Sequence, residues 1–327
     1  VEQAEAADGE GDRAIGADDI KLFIKDEPHK KTKLASQRER IISCLSLEDQ
    51  VVDRILFWPW VDAEIRNVAR VTSKSGWAPL PDGYKALALT FPADQSIAID
   101  KTAWDWTMPA WVVVHYMAVK FLQCMDLDDH YQVLCWNRML QVVGPGAVFR
   151  FPDGERRRQR VVGLMKSGWL LTLSMNSMAQ WAQHALASFR VGMTQVPYMW
   201  AMGDDNLVRW NPSEEELEAY LSELRQTGCI VKHALRNREF AGFEVENCDV
   251  VRPLYKDKHI FALKHLDPRV ERETILSYGL IYALSDDPWL DEYLLELGLY
   301  PEQMRLWATG QTKLTFVIPD EFLDLSC

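Results

Sequence analysis

The sequence is short of several things, and each shortage closes off a class of protein. No apolar run approaches the ~20 residues that a membrane-crossing helix needs, and the acidic first residues lack signal-peptide character. The six cysteines (Cys44, Cys124, Cys135, Cys229, Cys248, Cys327) show no CxxC pair and no metal-ligand spacing. That favours free thiols in a reducing compartment over a disulfide framework or a zinc site. Basic charge is scarce: 36 Lys and Arg against 48 Asp and Glu leave a net charge of −12, the wrong sign for a protein that merely coats nucleic acid. No internal repeat is present. What remains is an ordinary globular composition, 48% hydrophobic and 26% charged over 327 residues, enough for one large domain or two to three subdomains. Starting at Val1, the chain reads as a fragment or a processed product.

The charge is unevenly placed. Residues 1–19 are acidic, rich in Gly and Ala, and read as a disordered linker. A short strand from Ile20 to Lys25 follows, broken at Glu27-Pro28, and then a stretch holding Lys30, Lys31, Lys33, Arg38 and Arg40. This is either a solvated surface loop or an arm that contacts phosphate, with Lys25, Lys33 and Arg40 pointing inward. Ser46 with Asp49 three residues on marks a helix start, and Val51, Val52, Ile55 and Leu56 supply its apolar face. Residues 71–96, with Gly76, Pro79, Pro81, Gly83 and Pro92, read as loops around short elements.

Four later stretches carry polar groups where polar groups are costly. Ile97-Ala98-Ile99 is a buried strand with Asp100 at its end and Asp105 five residues on, followed by a helix from Ala110 to Cys124 carrying Trp111, Val114, Ala118 and Leu122 on one face. A carboxylate there needs a cap, a hydrogen bond or a metal ion. Phe149 to Arg156 forms a hairpin turning at Asp153-Gly154; the Arg156–Arg160 run after it is a solvated face or a contact for a template backbone. Ser167-Gly168 opens a helix on which Thr172 and Asn176 share a face. Tyr198–Met202, Gly203-Asp204-Asp205 and Leu207-Val208 read as strand, tight turn, strand, with two adjacent carboxylates at the tip, oxygen ligands of the kind hard Mg²⁺ prefers. A helix from Glu214 to Thr227, capped by Ser213 and stopped by Gly228, precedes a strand at Cys229-Ile230-Val231, then Lys232 and His233. Phe240 and Phe243 bracket another strand, and from Val250 onward the pattern is helical with proline breaks.

In order, IKDEPHKKTKLASQRERIIS with LEDQVVDR, DKTAWDW, MKSGWLLTLSMNS and MGDDN resemble the successive motifs of the viral RNA-dependent RNA polymerases, nearest the sobemovirus- and polerovirus-like group, over roughly residues 20–250. The resemblance implies an α+β right-hand polymerase, N-terminally truncated: linker at 1–19, fingers at 20–96, palm at 97–127, fingers insertion at 128–166, palm at 167–249 and thumb at 250–327. The palm would be a ferredoxin-like antiparallel sheet and the thumb helical. It implies Asp100, Asp204 and Asp205 as ligands of two Mg²⁺ ions, with Mn²⁺ as substitute, and Lys232, or His233 beside it, as the acid for the leaving pyrophosphate. Asp105 and Asn176 would read the ribose 2′-hydroxyl, with Thr172, Ser167 and Gly168 shaping that pocket. Lys25, Lys33, Arg38 and Arg40 would line the access channel for nucleoside triphosphates. The partners implied are template and nascent RNA, NTPs, a protein primer and other polyprotein products, at replication complexes in the host cytoplasm. The sequence departs from the family in having Lys101-Thr102-Ala103-Trp104 between the two aspartates, where Ser-Gly is frequent. A reverse transcriptase is the competing enzyme and a non-catalytic RNA-binding remnant the competing non-enzyme; Asp105 with Asn176 argues against the first and three intact carboxylates against the second.

Overall fold

The structure is a computed structural model that describes residues 4–6, 17–27, 31–37 and 39–312. Arg38 and the side chain of Lys33 lie outside the described residues. In chain order the elements are β1 (Ala4–Ala6), β2 (Ile20–Ile24), α1 (Lys31–Ala35), β3 (Ile41–Cys44), α2 (Leu47–Arg66), α3 (Gly83–Thr90), β4 (Ser96–Thr102), α4 (Trp104–Thr107), α5 (Ala110–Gln123) and α6 (Asp129–Val143). They continue with β5 (Val148–Arg150), β6 (Arg156–Gln159), α7 (Thr172–Arg190), β7 (Tyr198–Met202), β8 (Asp205–Arg209), α8 (Glu214–Gln226), β9 (Ile230–Leu235), β10 (Glu239–Phe240), β11 (Phe243–Val245), β12 (Val251–Pro253), α9 (Lys256–Lys264), α10 (Glu271–Tyr282), α11 (Asp291–Glu296) and α12 (Pro301–Ala308). They fall into two compact units, residues 1–77 with 91–241 and residues 78–90 with 242–327.

The first unit holds two sheets. One is antiparallel with strand order β7-β8-β4-β9. Its strands follow one another as β–α–β–β–α–β and lie in the split arrangement typical of ferredoxin-like sheets. Ile97, Ile99, Met199, Ala201 and Val208 turn one face of this sheet into the main core, against Val112, Tyr116, Met175, Ala179 and Leu221 of α5, α7 and α8. Strand alternation puts Asp100 and Asp205 on the other face. The other sheet, ordered β1-β6-β5-β2-β3, buries Ile20, Leu22, Ala147 and Phe149. Its edge strand β1 pairs with β6, so residues 4–6 have strand backbone within a stretch whose composition reads as a linker. Backbone pairing makes no demand on side-chain composition. The second unit packs Ile275, Leu290, Leu294 and Met304 beside the β11–β12 hairpin and is mostly helical. No helix among the described residues is long and apolar enough to cross a membrane.

Two helix faces differ from their apolar pattern. On α2, Val51, Val52 and Ile55 are exposed, and the buried side is Asp49, Asp53, Leu56, Phe57, Trp60, Val61 and Glu64. The reason is charge pairing: the Arg138 guanidinium donates to both Asp49 and Asp53, and Lys120 to Glu64, so three carboxylates enter the core with partners. On α5 the same Lys120 is buried with Val112, Val113, Tyr116 and Met117, while Val114 is 54% and Leu122 86% exposed. The helix caps agree with the sequence: Ser46 accepts from the Asp49 N–H, and Ser213 forms a capping box with Glu216.

Candidate active site

The tip of the β7–β8 hairpin is anchored by side chains of helix α7. Met202 pairs with Asp205, leaving Gly203-Asp204 as a two-residue turn in which Gly203 has φ +67°, a backbone state cheap only for glycine. Helix α7 bolts this turn from one side. Ser177 Oγ accepts from the Gly203 N–H at 3.0 Å, and the Gln180 amide donates to the Asp204 carbonyl at 2.7 Å. The Gln180 oxygen accepts from Asn206 at 3.2 Å, and Asn206 also donates to the Ile99 carbonyl at 2.9 Å. All three side chains are buried. The sequence motifs contain Ser177 and Asn206 without assigning them this anchoring role, and Gln180 lies outside the motifs; the signal available for the helix was Ser177 and Gln180 three apart on its core side.

These bonds set the relative position of the carboxylates. The β4–β8 ladder ends at Ala98 and Leu207, so Asp100 and Asp205 each stand two residues beyond it, on neighbouring strands. Asp100 lies within β4, not at its end, opposite His233 of β9 and at a register shift between Asp100 and Lys101. Lys232, also within β9, donates to Asp100 Oδ2 at 2.5 Å, and His233 Nε2 lies 3.7 Å from the same oxygen. The Asp205 carboxyl is pushed up to about 7, first by loss of hydration and then by repulsion from Asp204 and Asp100. Because water still reaches Asp205, the repulsive part carries the chemical meaning: three carboxylates share one field. Among the described residues no three His, Cys, Asp or Glu side chains make a ready cage for an ion. The donor set nevertheless suits a hard divalent cation, all oxygen and short of positive charge except for Lys232.

Asp105 and Asn176, paired by the sequence pattern, are in direct contact. Ala103 adopts a left-handed conformation (φ +51°) that turns β4 into α4 and brings Asp105 back beside the strand end. Asn176 Nδ2 donates to Asp105 Oδ1 at 2.8 Å. The Asp105 carboxyl is raised by burial, with the Asn176 bond lowering it and Asp204 raising it. Asn176 Oδ1 is buried with no partner among the described residues, an acceptor lacking a donor. Lys101 is buried, donates to Gln183 of α7 at 2.9 Å and lies over the Trp104 ring.

Ser167 and Gly168 join the loop ahead of α7 to strand β3 of the five-stranded sheet. The Ser43 N–H donates to Ser167 Oγ and the Gly168 N–H to the Ser43 carbonyl, both at 3.1 Å. A Cβ on Gly168 would stand 2.4 Å from that carbonyl oxygen. Helix α7 begins at Thr172, later than its polar stripe suggests, because Thr172 Oγ1 donates back to the Lys166 carbonyl. At the ends of β2 and β3, Lys25 and Arg40 are brought together: the Lys25 N–H donates to the Arg40 carbonyl, and both side chains reach Glu27, at 3.1 and 3.3 Å. Arg40 also lowers the Asp105 carboxyl through its charge. The charge of Arg40 thus reaches Asp105, while the Lys25 and Arg40 side chains themselves pair with Glu27.

A profile described as viral RNA-dependent RNA polymerase matches residues 20–265. The RNA-directed RNA polymerase of Mushroom bacilliform virus is 30% identical over 234 residues, 69% of this chain and 54% of that protein. Protein P1-P2 of Turnip yellows virus is 29% identical over 263 residues, 75% of this chain and 24% of that protein. The replicase polyprotein P2AB of Southern bean mosaic virus is 29% identical over 201 residues, 59% of this chain and 20% of that protein. The chain spans about half of the first of these relatives and a quarter or less of the other two.

Proposed function

The chain belongs to the viral RNA-dependent RNA polymerase family, and from that premise we propose that it carries the catalytic region of an enzyme that copies RNA from NTPs in the replication of a positive-strand RNA virus. The observation that carries this reading is the clustering of Asp100, Asp204 and Asp205 beside the Asp105–Asn176 pair. Asp100 and Asp204, with Asp205 in support, would hold Mg²⁺ or Mn²⁺. Two such ions, when bound, supply charge stabilisation to the attacking 3′-oxygen and the leaving oxygen of an in-line displacement.

The remaining work falls to the chain's own side chains. Asn176 Oδ1 accepts a hydrogen bond from the ribose 2′-hydroxyl while Asp105 fixes the amide's orientation; a deoxyribose leaves that acceptor unpaired, at a cost of roughly 1–3 kcal/mol. Lys25 and Arg40, with Lys33 and Arg38 of the same arm, take the triphosphate. Lys232 releases Asp100 and protonates the pyrophosphate, or His233 does so in its place. In this reading residues 20–96 and 128–166 are fingers, 97–127 and 167–249 palm and 250–327 thumb, and the protein works on template and nascent RNA at cytoplasmic replication complexes with other polyprotein products. NTP incorporation on a homopolymer RNA template with Mn²⁺ tests it. Incorporation by the chain and its loss in Asp204→Ala is the expected result; equal incorporation by both, or a preference for dNTPs, overturns the proposal.

A further inference from the structure

The five-stranded sheet has a second face, opposite Ile20, Leu22 and Phe149, on which two cations have no partner among the described residues. Lys21 and Arg150 are cross-strand partners on β2 and β5, so two like charges stand opposite each other ~5 Å apart at the backbone. Like charges placed this way weaken a sheet. Both are exposed, and neither has an ion-pair or hydrogen-bond partner among the described residues. Arg156 continues the same row on β6. Along β2, alternation puts Phe23 and Lys25 on this face too, and Phe23 is 47% exposed. The row thus runs from Lys21 past an exposed ring to Lys25 and Arg40, about 13 Å along the strand. Of the carboxylates beside it, Asp19 is bound by the Arg156 guanidinium at 2.7 and 2.9 Å, and Glu27 is shared by Lys25 and Arg40. Neither neutralises Lys21 or Arg150. In a chain of net charge −12, a cation pair with no partner among the described residues, held at a cost to its sheet, suits a polyanion.

We propose that this face is a track for single-stranded RNA, with Lys21 and Arg150 contacting successive phosphates and Phe23 stacking a base. An aromatic ring set between cations suits a single strand, whose bases are free to stack, and recognition there is insensitive to sequence. Naming RNA as the polyanion rests on the polymerase reading. The test is fluorescence anisotropy of a labelled oligouridylate against salt concentration, with the whole chain and with K21E/R150E. The variant should bind on the order of tenfold more weakly, and its slope of log affinity on log salt should be shallower by about 1.4, two phosphates at about 0.7 each. F23A should also weaken binding roughly tenfold, without changing the slope. The neutral K21Q/R150Q pair serves if charge reversal disturbs the sheet. Unchanged affinity and slope in both double variants overturns the track. So does a loss confined to phosphatidylserine vesicles, which would assign the face to a lipid surface. If the chain fails to incorporate NTPs while the double variant still loses RNA affinity, the polymerase reading falls and the track stands; incorporation with an unaltered variant affinity gives the reverse.

Discussion

Asp205 is the residue whose protonation the fold alters in a testable way. Its carboxyl titrates near 7 in the folded chain against an ordinary value of 3.8. As pH rises between those values the unfolded chain loses its proton first, so the folded state binds more protons and stability falls with pH, then levels off above about 7. In buffer with a chelator, the melting temperature of Asp205→Asn relative to the unmodified chain should climb over that window. A flat difference would mean that neither lost hydration nor the neighbouring carboxylates raise Asp205. Ala103 offers a second residue-scale test. Left-handed backbone costs a non-glycine residue about 1–2 kcal/mol, part of which glycine returns through its freer unfolded state. Ala103→Gly should therefore stabilise the chain by about 0.5–1 kcal/mol in urea unfolding, with Asp105 still beside Asn176.

At the scale of elements, α7 controls the hairpin. Gln180→Leu removes a donor to the Asp204 carbonyl and an acceptor for Asn206, both buried, and should cost about 1–3 kcal/mol. If the bond also fixes the carboxylates, kcat should fall at temperatures where circular dichroism shows the variant fully folded; a loss of stability alone would make Gln180 merely structural. The strands, the glycine turn and the two capped helices were legible because each has a short-range cause: alternation, a left-handed turn, a serine ahead of acidic residues. The buried sides of α2 and α5 were not. Their deciding partners, Arg138 and Lys120, lie 85 and 56 residues from the carboxylates Asp53 and Glu64 that they bind, and periodicity treats every carboxylate as exposed. The contact between Asp105 and Asn176 was legible only through the motif resemblance; Ser177 and Asn206 stand at the ends of the same motifs without a role attached, and Gln180 lies outside them.

For the whole molecule, the unusual term is buried ammonium without carboxylate. Lys74, Lys101 and Lys166 are each almost fully buried and held by carbonyl or amide oxygens and aromatic rings. Burial lowers them from 10.5 to about 8, 8 and 7. Between those values and 10.5 the unfolded chain holds more protons, so this contribution to stability improves as pH rises. Lys166→Met should accordingly gain most over the unmodified chain at and below pH 7 and lose that advantage towards pH 10, read as the difference between their melting temperatures. The joint at Ser43 and Gly168 has a bearing of another kind, on the gene. Every single-nucleotide change in a glycine codon that alters the residue adds a Cβ, and at Gly168 that atom lands on the Ser43 carbonyl. Ser43 contributes only its peptide group to the joint, so a side chain small enough for its buried position keeps the contact. Under random mutation, one side of this contact can exchange among small residues and the other has nowhere to go.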